Sequence, residues 1–338
     1  MRSRLNVVRI AAAGMAVACC VWVSSAGVEV AARVRAGQPS EGAAQQAQAE
    51  RLARQAMHAI RLARDMDRAW RAQWRLRAGH ANDPDRAALI GDELTPLVTT
   101  LGHLEAKWLS TDSRWASALV RELNAHGVEH GDVVAASFSG SFPGLNLSLM
   151  AACKALGVQL VAVSSVTAST WGANEPGFTW PEMEVLVVRA GVLPAASVAI
   201  GIGGSRDAGR DLEADAQALA RRIQGDAARQ LQAHALNTVT LDEAIVARMD
   251  AYDRALAGRR PAAYVNIGGN HASLGGARAD LRHAEGWHHG AGSASAATAE
   301  GTIAIFRGRG VPALNLLNVV SLAREWGVIP ERALEARP

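Results

Sequence analysis

The densest chemistry in this sequence is at Ser137, Ser139, Gly140 and Ser141, directly after the apolar run 133–136 and ahead of Pro143. Proline suits the first turn of a helix, where its missing N–H costs nothing. A mostly apolar stretch over 145–156 follows and is closed by Gly157, and a second apolar run spans 158–163. The pattern is strand, turn, helix, strand. Free N–H groups at a helix start carry partial positive charge, and glycine lets backbone approach a ligand closely. With three hydroxyls added, the turn suits a carboxylate or a phosphate. A second chemistry is nucleophilic attack by Ser139 or Ser141 from a tight strand-to-helix turn, although neither has the glycine two residues earlier that a nucleophile elbow carries. A third reading is a serine-capped helix without a ligand.

Lysine is scarce. Lys107 and Lys154 are the only two, and arginine supplies the remaining side-chain cations. A retained lysine can mark a need for a compact amine. Lys154 falls mid-helix, on a solvated face. Lys107 falls in a polar stretch with Thr99, Thr100, His103, Glu105, Ser110 and Thr111. There Lys107 and Glu105 either pair or act as a base with an activating cation.

The segment 164–180 reads as a long loop at the carboxyl end of the second strand, where open α/β sheets place ligands. It holds Ser165, Thr167, Trp171, Asn174 and Glu175. Glu175 is an acid/base candidate or a solvated loop carboxylate. Arg206 and Arg210 lie in another Gly-rich turn, which suits a carboxylate or phosphate or is simply flexible and solvated. A further apolar strand runs into Asn266, Gly268, Gly269, Asn270 and Ser273. Several strands thus end in Gly/Ser/Asn turns. In a parallel sheet such turns share one edge and line one crevice.

The elements needed to position these turns are those of an α/β protein: a parallel, Rossmann-like sheet with flanking helices. At 338 residues and 49% hydrophobic content, the chain can bury a full core. A net charge of +3 with both signs mixed gives no nucleic-acid footprint. Of Cys19, Cys20 and Cys153, only the last lies in the globular part, so no disulfide forms within it. His271, His283, His288 and His289 lack the spacing of a helix-borne metal pair, so no metal is expected. The turns lack the dinucleotide fingerprint and the phosphate-loop lysine, so no cofactor is expected either.

Arg2, Arg4 and Arg9 precede an uncharged run, 10–28, long enough to span a bilayer with the remainder outside the cytoplasm. Cleavage near Ser24-Ser-Ala and lipid attachment at Cys19 are alternatives that give the same side. Residues 1–36 then form an anchor or signal segment, 37–84 a linker and amphipathic helix, and 85–338 an extracytoplasmic α/β domain. The amphipathic helix is expected over 43–76. Its stripe is Leu52, Ala56, Ile60, Ala63, Met66, Trp70 and Trp74. Arg51, Arg54, Arg61, Arg64, Arg68, Arg71 and Arg75 lie on the remaining surface, facing either anionic headgroups or solvent. Helices are also expected from 114 to 125 and ending near 233 and 257. Short apolar runs occupy 185–188 and 196–200, and 234–240 is a strand candidate.

Two family resemblances follow. Asp132-Val-Val-Ala-Ala-Ser-Phe-Ser-Gly-Ser, Ala152-Cys-Lys-Ala-Leu-Gly and Val158-Gln-Leu-Val-Ala-Val-Ser-Ser look like the SIS domain of sugar isomerases, which implies a phosphosugar-holding turn. Phe142-Pro143 departs from that family. More of the chain resembles the poly-γ-glutamate system protein family. The segments are Thr95-Pro-Leu-Val-Thr-Thr-Leu-Gly, Glu105-Ala-Lys, Ser137-Phe-Ser-Gly-Ser-Phe-Pro, Ser164-Ser-Val-Thr-Ala-Ser-Thr-Trp-Gly-Ala-Asn-Glu-Pro and Asn266-Ile-Gly-Gly-Asn. That resemblance implies a membrane-anchored protein of capsule or secreted poly-γ-glutamate production, working with the polymer or its synthase and export complex. Three functions stay open at this point. One is polymer binding through Ser137, Gly140, Ser165, Asn174, Arg206, Arg210, Asn266 and Asn270. Another is a serine-type amidohydrolase or transferase using Ser139 or Ser141 with Lys107 or Glu175. The third is phosphosugar binding.

Overall fold

The computed structural model describes residues 40–66, 70, 83–276, 283–290 and 300–328. The run 10–28, residues 37–39, Arg68, Arg71, Trp74, Arg75, residues 291–299 and the tail from 329 lie outside the described residues. Among the described residues no helix is long and apolar enough to cross a membrane. By contacts the chain divides into Met1–Ala44, of which residues 40–44 are described, and Gln45–Pro338, which holds every strand.

In chain order the elements open with α1 (Glu41–Arg64), α2 (Pro84–Ala87), β1 (Val98–Thr100), α3 (Leu104–Ser110) and α4 (Arg114–Ala125). Next come β2 (Val133–Phe138), α5 (Pro143–Leu156), β3 (Gln159–Ser165), β4 (Ala168–Ser169), α6 (Trp180–Arg189) and β5 (Ser197–Gly201). A 3-10 turn (Ser205–Asp207) leads to α7 (Ala214–Leu231), β6 (His234–Ala235), α8 (Leu241–Leu256), β7 (Ala263–Ile267) and α9 (His271–Leu274). The chain closes with β8 (Gly286–His288), α10 (Thr302–Gly308), β9 (Ala313–Leu316) and α11 (Val319–Glu325).

Seven strands form one sheet in the order β6-β5-β3-β2-β7-β9-β8, parallel throughout except for β8, which runs antiparallel to β9. From β2 the chain steps outward to β3, β5 and β6, then returns to lay β7 on the other side of β2. The order therefore reverses between β2 and β7, and the carboxyl ends of these two strands are the topological switch point. β1 and β4 make a separate two-stranded parallel ribbon.

Alternation along β2 explains the two layers. Val134, Ala136 and Phe138 join one core cluster with residues from α1, α4, α5, α6 and α11. Val133 and Ala135 join another with residues from α8 and α10. All six residues of β2 are buried, as a central parallel strand covered on both faces requires. Helix α5 is itself buried nearly all round, with Leu145, Leu147 and Leu149 fully enclosed. Truncating one such leucine to alanine costs about 2–5 kcal/mol. Gly157 in the left-handed conformation ends the helix.

Two local readings change in the structure, and one apolar run finds its element. The run 185–188 lies inside α6, whose first turn is fixed by Glu182 accepting the Thr179 N–H at 3.0 Å. The strand candidate 234–240 shortens to β6, and the loop 164–180 contains β4. On α1, Ala49, Ala53, Ala56, Met57 and Ile60 pack into the core beside the sheet.

Candidate active site

Three segments meet at the carboxyl end of β2: the turn 139–142, helix α3 and strand β4. Two glycines allow it. A Cβ on Gly140 would lie 2.8 Å from Thr167 O and 2.9 Å from Ala168 Cβ, so only glycine lets 167–169 close on the turn. A Cβ on Gly144 would lie 2.3 Å from Ser110 O, so only glycine lets the end of α3 press on the start of α5. Pro143 occupies the first turn of α5, and Asn146 donates to Ser139 O at 2.9 Å, holding the turn against its own helix.

The result is a chain of polar atoms. Lys107 Nζ donates to Ser169 Oγ at 2.6 Å and to Ser141 O at 2.5 Å. Ser169 Oγ donates to Ser141 Oγ at 3.1 Å, and the Ser169 N–H donates to the same oxygen at 3.2 Å. Ser141 Oγ thus accepts twice from Ser169, and a proton passes from Ser141 to Ser169 only once both hydroxyl hydrogens have turned. Ser141 is half-buried, while Ser169, Ser139 and Lys107 are buried, Lys107 to 2% exposure. No carboxylate lies within ion-pair reach of the amine among the described residues. Burial lowers the Lys107 pKa to about 7, because desolvation disfavours the charged form. The Phe142 ring, with its centroid 4.1 Å from Nζ, is the flanking apolar wall.

Ser139 has a different place. Its Oγ accepts the Ser141 N–H at 3.2 Å, and it sits against Gly268 at the end of β7. It shapes the turn and packs on Gly268 rather than touching Lys107. The Phe142 N–H, next after Ser141, finds no acceptor among the described residues and lies at the start of a fourteen-residue helix.

The other predicted positions divide into three groups. Ser137, Ser165, Asn266 and Asn270 are buried and already partnered on the second face of the sheet. Ser137 Oγ accepts from Ser273 at 2.7 Å. Ser165 Oγ accepts from both Asn270 and Arg248 at 2.8 Å. Asn266 donates to Asn315 at 2.8 Å and to Gly268 O at 2.9 Å. Arg248, which the sequence reading missed, is completely enclosed and paired with Asp207 through two bonds of 2.6 and 2.8 Å.

Asn174 and Glu175 serve as ties, and Asn174 also donates to Ser169 O at 3.5 Å. Asn174 exchanges two hydrogen bonds with the Asp92 backbone, at 2.7 and 3.1 Å. Glu175 forms an ion pair with Arg64, which is buried and reaches back from α1. Arg206 and Arg210 are exposed. Arg210 donates at 3.4 Å to Val239 O, on the approach to α8, whereas Arg206 belongs to the loop beside α9.

A cavity of about 540 Å³ opens at the opposite, amino end of the strands, lined among others by Cys153, Gln159, Ala196, His234 and Arg254. None of the predicted site residues lines it. Burial pushes the Cys153 thiol up to about 12, which leaves it inert at neutral pH. Among the described residues no group of three His, Cys, Asp or Glu side chains could hold a metal ion. Comparison of the chain with protein-family models, with curated proteins and with solved structures finds no match.

Proposed function

We propose that this protein is a serine-type hydrolase or acyl transferase in which Ser141 is the nucleophile, Lys107 the base and Ser169 the relay between them. The observation that carries this reading is the buried Lys107 amine, with a pKa lowered to about 7, bonded to a serine that is bonded to Ser141. Near neutrality a large fraction of that amine is unprotonated and able to accept a proton. Ser141 Oγ attacks the substrate carbonyl while its proton moves to Ser169, whose own proton moves to Lys107. The amine leaves with that proton returned by the same route, and water then releases the acyl group from Ser141. The Phe142 N–H and the dipole of α5 supply positive potential for the oxyanion.

The pathway that the resemblance to the poly-γ-glutamate system family implies supports one substrate for this reaction: the γ-amide of a secreted glutamate polymer, which an N-terminally anchored, extracytoplasmic domain would meet. The test is chain length. Purified full-length protein is incubated with poly-γ-glutamate and the product sized by gel filtration. Shortening that is abolished in Ser141→Ala and retained in Ser139→Ala is the expected result. Unchanged polymer length with the unmodified chain sinks the hydrolase form. Salt-sensitive polymer binding without cleavage would leave a polymer-holding accessory, and stabilisation by sugar phosphates alone would leave the SIS-like phosphosugar reading.

A further inference from the structure

The cavity of about 540 Å³ at the amino end of the strands has one wall that is an unfinished sheet edge. Gln159, the first residue of β3, donates its N–H to Asp132 O at 2.9 Å, toward β2. Ala162 donates to Ala196 O at 2.8 Å, toward β5. Backbone groups alternate in direction along a strand, so the N–H and C=O of Leu160 face the β5 side, as those of Ala162 do. The next ladder bond would run from the Ala196 N–H to Leu160 O. Instead the Ala196 N–H donates to Glu184 Oε1 at 2.8 Å, and the Ser197 N–H donates to the same oxygen at 2.9 Å. Pairing of β3 with β5 therefore begins only at Ala162 and Ser197. Among the described residues neither backbone group of Leu160 finds a partner, and Leu160 lines the cavity.

An open N–H and C=O on one strand residue are the pair that an added strand engages, returning a C=O and an N–H of its own. The rest of the wall suits side chains of such a strand. Met150, Val158, Leu231 and Ala251 make it apolar. Lys154 and Arg254 are its cations, and no acidic residue lines it among the described residues. Lys154 is tied to Val192 O at 2.7 Å, whereas Arg254 has no hydrogen-bond partner among the described residues. The volume lies in the range of about 300–1,000 Å³ that ligand pockets occupy.

We infer that this cavity is a docking site for an extended peptide segment with an apolar centre and acidic flanks. One peptide residue pairs with Leu160, in the place left open where the chain before Ser197 turns aside to Glu184. Its apolar neighbours fill the cavity and an acidic side chain meets Arg254. The site lies at the other end of the sheet from Ser141 and does not depend on the acyl-transfer reading.

The probe is an acetylated, fluorophore-bearing Glu-Val-Leu-Val-Glu amide, titrated into the full chain and followed by fluorescence anisotropy. Arg254→Gln should weaken its binding about tenfold, the size of one charge-assisted contact, and leave binding of the Gln-Val-Leu-Val-Gln analogue unchanged. Methylating the three central peptide nitrogens removes the donor for Leu160 O and should weaken binding by about tenfold or more. Hydrogen exchange reads the same edge without any substitution. In the free protein the Leu160 amide should exchange faster than that of Val161, and bound peptide should slow it by about tenfold or more. Failure of the acidic peptide to bind overturns the inference, as does binding indifferent to N-methylation or without protection of the Leu160 amide. So does displacement by octanoate at equal strength, which would make this a pocket for small apolar acids. The serine reaction is judged by polymer length alone, so either proposal can fail while the other stands.

Discussion

Lys107 and Arg248 are both buried cations near the carboxyl end of one sheet, and their surroundings differ in one respect. Arg248 lies against the Asp207 carboxylate and also donates to Ser165. Burial opposes its charge, but Asp207 more than offsets that, and its pKa is raised. Lys107 has two neutral oxygens and an aromatic wall, and burial lowers its pKa to about 7. A cation supplied with a counter-charge is fixed in one state and organises structure. A cation denied one is left close to the point of giving up its proton, which is the state a general base needs.

The contrast can be broken most directly at Lys107. Lys107→Met is expected to lower kcat/KM about 10⁴-fold, roughly 5.5 kcal/mol of barrier, in the cleavage assay. Its effect on stability should depend on pH. The folded pKa of Lys107 lies below the unfolded value, so the unfolded chain binds more protons between about pH 7 and 10.5. The penalty for burying the amine is therefore fully present below pH 7 and shrinks as pH rises through that window. Urea unfolding of wild type relative to Lys107→Met should improve by about 1.4 kcal/mol per pH unit from pH 7.5 to 9.5. A pH-independent difference would mean that Lys107 stays charged in the fold.

Arg248→Met tests the other half. It strands the Asp207 carboxylate in the interior and should cost about 3–5 kcal/mol of unfolding free energy at neutral pH. If Lys107→Met and Arg248→Met destabilise alike at pH 7, the distinction between a paired and an unpaired cation fails. Gly102→Ala is the mildest probe. A Cβ there would lie 3.0 Å from Ser169 Oγ and 3.1 Å from Lys107 Cε, pressing on the relay without changing any charge. A several-fold fall in kcat at nearly constant KM, with a stability loss of about 1 kcal/mol, is the expected reading.

Much of this was legible in the chain itself. The apolar run into Ser137–Ser141, the proline at the start of α5 and Gly157 at its end are local signals, and the structure realises them. Lys107 stood out because lysine is scarce. Ser169 did not, because it is one hydroxyl in a hydroxyl-rich loop and its role depends on how closely Gly140 lets β4 approach. Arg248 left a signal that went unread. It lies three residues after Ile245 and four before Tyr252, on the buried stripe of α8. Arg64 follows Ile60 by four on α1 in the same way, and its partner Glu175 lies in a segment far along the chain. Such long-range pairing of buried charges is invisible to a reading of periodicity.

The lone globular cysteine adds a practical consequence. Cys153 sits on α5, the helix whose start presents Ser141, and it is buried, at the wall of the cavity at the amino end of the strands. With so little of its surface exposed at the cavity wall, it reacts with alkylating reagents only as the packing around α5 loosens. The labelling rate of the peptide bearing Cys153 is thus a built-in clock for cooperative opening, against which every substitution at the serine end of the same helix can be timed.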